Sequence, residues 1–123
     1  IGLPADILLV PLRGHTHGHA GVAVRRPDGR WLLQAGDAYF HRGEMDLERP
    51  CCPPGLRVYQ TMLEKDRRAR LSNQERLRQL RRDHGGEVTV CCGHDPLEFE
   101  QLAGHSLDLP LPAVRQAQPV PLA

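Results

Sequence analysis

Residues Gly14 to Ala38 read GHTHGHAGVAVRRPDGRWLLQAGDA, and the layout of the chain can be worked out from this stretch. Ahead of it, Asp6 to Leu12 (DILLVPL) is an apolar run of strand length, closed by Gly14. Within it, Ala20 to Arg25 alternates small apolar residues, Pro27-Asp28-Gly29 supplies a turn, and Trp31 to Ala35 reads as the returning strand. Residues 20–35 are therefore expected to form a β-hairpin. Titratable residues beside glycine follow the first strand and the hairpin. His15, His17 and His19 occupy alternate positions on a flexible loop, which makes them either metal-approachable imidazoles or a solvated loop. Asp37, after Gly36, is either a ligand-facing carboxylate at a strand end or a turn- and helix-capping residue.

Beyond Ala38, the charged, proline-flanked segment from His41 to Pro54 reads as a long surface loop. Leu56, Tyr59, Met62 and Leu63 recur at helical spacing and predict a helix from about Leu56 to Arg68. Ser72 with Glu75 forms a capping-box pattern, Leu77 and Leu80 extend an apolar stripe, and Gly85-Gly86 stops the helix. Glu87 to Cys92 alternates as a strand. Gly93-His94-Asp95 follows it, and Asp95 with Pro96 opens a short helix to Leu102, leaving His94 free. The expected order is β, β, β, α, α, β, α: an α/β (α+β) layout with one sheet covered by helices. Residues 1–106 read as the folded unit, and 107–123, with four prolines, as an extended tail.

At 123 residues and 13.8 kDa the chain is one ordinary domain or a piece of a larger protein. It opens on Ile1 rather than Met, which favours the second. A formal net charge of +1 points to neither a nucleic-acid nor a membrane partner. The longest apolar run, Ile7 to Val10, is far too short to span a bilayer. Cys51-Cys52 and Cys91-Cys92 are vicinal pairs, read as reduced thiols of a cytoplasmic protein. Between Glu64 and Asp83, seven Arg and one Lys face four acidic residues, a local basic excess with no aromatic interleaving. A solvated helix face accounts for it, so nucleic acid is disfavoured as a partner.

His15, Asp37 and His94 each follow an apolar strand and are each preceded by glycine. If those strands lie side by side, the three side chains meet at one sheet edge, and His, Asp and His suit a divalent cation such as zinc. GHTHGH, a hairpin ending in GDA, and CGHD after a later strand, in that order, resemble the C-terminal half of the metallo-β-lactamase superfamily over roughly Asp6 to Leu102. The resemblance implies half of an αββα sandwich and a zinc-dependent hydrolase with two Zn2+ ions in the full-length protein. It implies His15 as a ligand of one metal, Asp37 as the bridging and catalytic carboxylate, and His94 as a ligand of the second. It implies His19 as a support for the loop. The family's other metal motif, HxHxDH, has no counterpart here, so an N-terminal half of the same protein is an expected partner beside a small-molecule substrate. The substrate class stays open among esters, thioesters, lactones and phosphodiesters, with a nucleic-acid-processing member or a non-catalytic remnant as alternatives. Lactonases of the superfamily often carry Tyr where this chain has Phe40, which weighs against a lactone. Phe40 and His41 are the expected substrate-loop positions. A broad apolar patch of Ile7, Leu9, Val22, Val24 and Leu33 is expected on one sheet face if that half is missing.

Overall fold

The computed structural model describes residues 6–104. The expected tail, 107–123, lies outside them. Four strands form one sheet: β1 (Ile7–Pro11), β2 (Ala20–Arg25), β3 (Trp31–Gln34) and β4 (Val88–Cys91), side by side in chain order. β1–β2 and β2–β3 pair antiparallel and β3–β4 pair parallel. The two-residue period of a strand decides which side chains share a face. Leu8, Ala23, Leu33 and Val90 stand in register on one face, and Leu9, Val22, Gln34 and Cys91 on the other.

The parallel β3–β4 pair needs a crossover, and two helices supply it: α1 (Pro54–Leu63) and α2 (Arg67–His84). α2 lies on the Ala23–Leu33–Val90 face, where Leu77, Leu33, Leu12 and Ala35 are buried together with Met45 and Tyr39. α3 (Pro96–Ala103) follows β4, capped by Asp95, whose carboxylate accepts the N–H groups of Leu97 and Glu98.

Three expectations are corrected. Leu33 does not belong with Ile7, Leu9, Val22 and Val24, because its partners across the sheet are Ala23 and Val90. It is 2% exposed under α2, while Leu9, Val22 and Val24 stay exposed on the opposite face. The segment after His41 is not a continuous surface loop. Arg42–Met45 form a 3-10 turn whose Glu44 and Met45 are buried, because Met45 fills the core beside α2. The helix expected from Leu56 to Arg68 breaks after Leu63, and Ser72 lies inside α2 rather than at its start. The backbone N–H groups of Lys65 and Asp66 both donate to the Gly14 carbonyl, and Asp66 caps α2 through the Ala69 N–H. A tertiary contact with the His-loop therefore overrides the local capping pattern.

That contact also explains Gly14. Its φ is +137°, and a Cβ there would meet the Arg70 backbone nitrogen at 2.4 Å, so only glycine lets α2 start against this loop.

Candidate metal centre

β1, β3 and β4 all run in the same direction, since β2 is antiparallel to both its neighbours. Their carboxyl ends therefore share one edge of the sheet, and the loops that leave them carry His15, Asp37 and His94. The three side chains meet there. His94 Nε2 lies 2.7 Å from Asp37 Oδ1, and His15 Nε2 lies 3.3 Å from Asp37 Oδ2. Each carboxylate oxygen thus faces one imidazole nitrogen, and the two histidines flank the carboxylate instead of surrounding a point. Consistent with that spread, no group of three or more His, Cys, Asp or Glu among the described residues forms a ready cage for one ion. The donor set nevertheless suits cations on either side of Asp37, because both imidazoles present Nε2 and the carboxylate presents both oxygens. The Nδ1 of His15 is buried without a hydrogen-bond partner, so the described residues leave the outer side of that ring without support.

His19 locks the loops together. Its Nε2 accepts the Asp37 backbone N–H at 2.9 Å, so Nδ1 carries the proton and donates to the Leu12 carbonyl at 2.8 Å. A neutral imidazole therefore ties the end of β1 to the backbone of Asp37. Gly36 is in the left-handed region (φ +58°), and a Cβ there would come within 2.8 Å of His19 Nε2, so the sequence Gly-Asp is what lets this ring approach. The Gly93 N–H donates to the Gly36 carbonyl at 3.1 Å, which fastens the His94 loop to the Asp37 loop. His17 is exposed.

Phe40 is 2% exposed, its ring 4.2 Å from His94 and 6.0 Å from His15, forming an apolar floor under both imidazoles. His41 caps the 3-10 turn by accepting the Gly43 N–H.

Sequence reasoning missed the layer beneath. Buried Glu98 of α3 accepts the Tyr39 hydroxyl at 2.9 Å and the Cys92 N–H at 2.9 Å, joining the chain two residues past Asp37 to the chain two residues before His94. Asp95 accepts the Arg42 N–H at 2.7 Å and pairs with its guanidinium at 3.2 Å. The Asp-Pro-x-Glu spacing was the available signal for Glu98, but only the fold shows what it reaches. Burial first, and then Glu98, push the Cys92 thiol up to about 12, and burial with Glu98 pushes Cys91 up to about 11. In the absence of a cation both are neutral thiols at pH 7.

No family model matches the chain. It is 41% identical over 97 residues to a probable metallo-hydrolase of Mycobacterium tuberculosis and, to the same extent, to one of Mycobacterium bovis. Those 97 residues are 79% of this chain and 30% of each relative, so the chain spans under a third of the curated relatives it matches. Among solved structures, an N-acyl homoserine lactone hydrolase with its product at the catalytic metal centre superposes with a TM-score of 0.59 at 18% identity, over 82% of this chain and 35% of that one. A hydrolase described as belonging to the beta lactamase superfamily superposes with a TM-score of 0.53 at 14% identity, over 77% of this chain and 29% of that one. The chain carries part of the metallo-β-lactamase fold. The mixed four-strand sheet with its three helices matches part of that fold. Among the described residues, no helix is long and apolar enough to cross a membrane.

Proposed function

We propose that the full-length protein is a zinc-dependent hydrolase with a binuclear centre, and that His15, Asp37 and His94 hold part of it. The observation that carries this reading is the pairing of each Asp37 oxygen with one imidazole Nε2, at 2.7 and 3.3 Å. The metallo-hydrolase relatives support it. When bound, the two cations supply Lewis acidity at the scissile group and a nucleophilic water at neutral pH. The chain's own residues do the rest. Asp37 brings negative charge between the two imidazoles, and His19, through the Asp37 N–H, fixes where that carboxylate points. Phe40 excludes water from beneath the imidazoles. The remaining ligands come from the part of the protein outside this chain, where the substrate pocket is also completed. The substrate is a small molecule with a hydrolysable acyl or phosphoryl bond. Four unpaired thiols support a reducing compartment, the cytoplasm.

A nucleic-acid-processing reading loses support from the arginines. Arg76, Arg78 and Arg81 reach the carbonyls of Pro11, Glu44 and Met45, and Arg70 pairs with Glu64, so half of the basic run is engaged within the fold.

The deciding experiment measures bound zinc and hydrolysis of thioester, lactone and phosphodiester substrates by the full-length protein and its Asp37→Ala variant. The variant is expected to lose metal and turnover while keeping its melting temperature within a few degrees, since Asp37 buries little apolar area. Full zinc and full turnover in the variant would overturn the assignment of Asp37. A wild-type protein without metal or hydrolysis would leave the non-catalytic reading standing.

A further inference from the structure

Between α1, α2 and the 3-10 turn lies a cavity of about 280 Å³ whose lining includes Glu44, Arg57, Gln60, Arg67, Arg70 and Arg78. It shares no lining residue with His15, Asp37 and His94. Its charges do not balance. Glu64 pairs with Arg70 and Arg67, and Glu75 with Arg78. Glu44 turns its carboxylate inward, accepting the N–H groups of Phe40 and His41 and the side-chain amide of Gln74. Against these three carboxylates stand four guanidinium groups. The side chain of Arg57 has no hydrogen-bond or ion-pair partner among the described residues. Cys52, also in the wall, adds no negative charge, because burial and then Glu44 push its thiol up to about 11.

Gln60 gives the cavity its direction. It is 1% exposed, and its Oε1 accepts the Arg70 guanidinium at 3.1 Å. Flipping the amide would set N–H groups against that guanidinium, so its orientation is fixed. Its Nε2 is buried with no partner. A buried amide donor left unmade is costly, and a cavity lined by its residue and by an unpaired arginine is suited to an acceptor carrying negative charge.

We propose that this cavity binds a small oxyanion, the carboxylate or phosphate group of a metabolite-sized ligand, with one oxygen on Gln60 Nε2 and its charge facing Arg57. Arginine forks and an amide N–H suit planar or tetrahedral oxyanions alike, so the two sources are separated by experiment. Glu44, which forms one wall, also holds the N–H groups of Phe40 and His41. An occupant would therefore touch the residue that anchors the floor of the candidate metal centre.

The test is calorimetric titration of the full-length protein with inorganic phosphate and, separately, with acetate. Binding of phosphate alone assigns a phosphate-bearing ligand, binding of acetate alone a carboxylate, and binding of both a general oxyanion site. In each case Gln60→Glu, which keeps the acceptor for Arg70 and replaces the donor, and Arg57→Gln are expected to weaken binding at least about tenfold. Arg57 is exposed, so its variant stays folded and informative even if Gln60→Glu does not. Binding of neither anion, or binding that Arg57→Gln leaves unchanged, overturns the proposal. The second result would place the anion elsewhere, on bound metal included.

Discussion

Asp95 is the residue at which the sheet edge, the 3-10 turn and α3 are joined. Burial acts to raise its carboxyl pKa. The N–H groups of Arg42, Glu98 and Leu97, with the Arg42 guanidinium, outweigh it and hold the carboxyl below the ordinary range. A carboxylate with a lower pKa folded than unfolded stabilises the fold above the ordinary value of about 3.9, and that contribution is withdrawn as pH falls through the folded value. Asp95→Ala is therefore expected to cost about 0.5–2 kcal/mol at neutral pH through the lost helix cap. The gap to wild type should narrow once the pH is below the folded pKa. Urea denaturation at neutral and strongly acidic pH measures both points, and a gap of constant size would show that the charge of Asp95 contributes nothing. Asp95 also shows why a cap can be read from sequence while its partner cannot. Asp-Pro announces a helix start locally, whereas Arg42 lies 53 residues away.

The start of α2 illustrates the competition between local signal and tertiary contact. Ser72 and Glu75 make a good capping box, yet the helix begins a turn and a half earlier, where the Gly14 carbonyl takes the N–H groups of Lys65 and Asp66. Gly14→Ala should break this junction. Its φ of +137° disfavours any side chain, at about 1–3 kcal/mol, and the added Cβ meets the Arg70 backbone, which cannot swing aside as a side chain could. A lowered melting temperature, with faster amide exchange concentrated at 65–70, is the expected result. Unchanged exchange there would mean that α2 does not depend on the loop. Since His15 follows Gly14 directly, the metal proposed to bind there should be lost in the full-length variant as well.

The sheet as an assembled object presents two unlike faces. α2 covers Ala23, Leu33 and Val90, while Leu9, Val22 and Val24 remain 53, 38 and 41% exposed across from it. Contiguous apolar surface of this kind is uncommon on a monomer. Residues 1–123 produced alone are therefore expected to self-associate, and the double variant Val22→Lys and Val24→Lys to restore a monomer. Sedimentation equilibrium distinguishes the outcomes, and a wild-type segment that stays monomeric at high concentration would show that the face needs no cover. In the full-length protein the same double variant should instead lower stability if that face is packed against the rest of the chain.

Strand alternation, the Asp-Gly turn, glycine-flanked titratable residues and the helix stop at Gly85-Gly86 are all local, and the element order and the hairpin follow from such short stretches of chain. The meeting of His15, Asp37 and His94 depends instead on their strands lying in one sheet, which only the pairing of β1 to β4 decides. Facing and fastening are not local. The face that Leu33 occupies is set by its register with Ala23 and Val90, and a strand's parity has no meaning until its neighbours' register is known. Phe40 reads as a loop residue until His94, 54 positions on, is seen to stack against it. Glu98, Tyr39 and His19 hold the site through hydrogen bonds that span 6 to 59 residues. Buried polar groups must find partners wherever the chain brings them, and only the folded chain specifies which partners are within 3 Å.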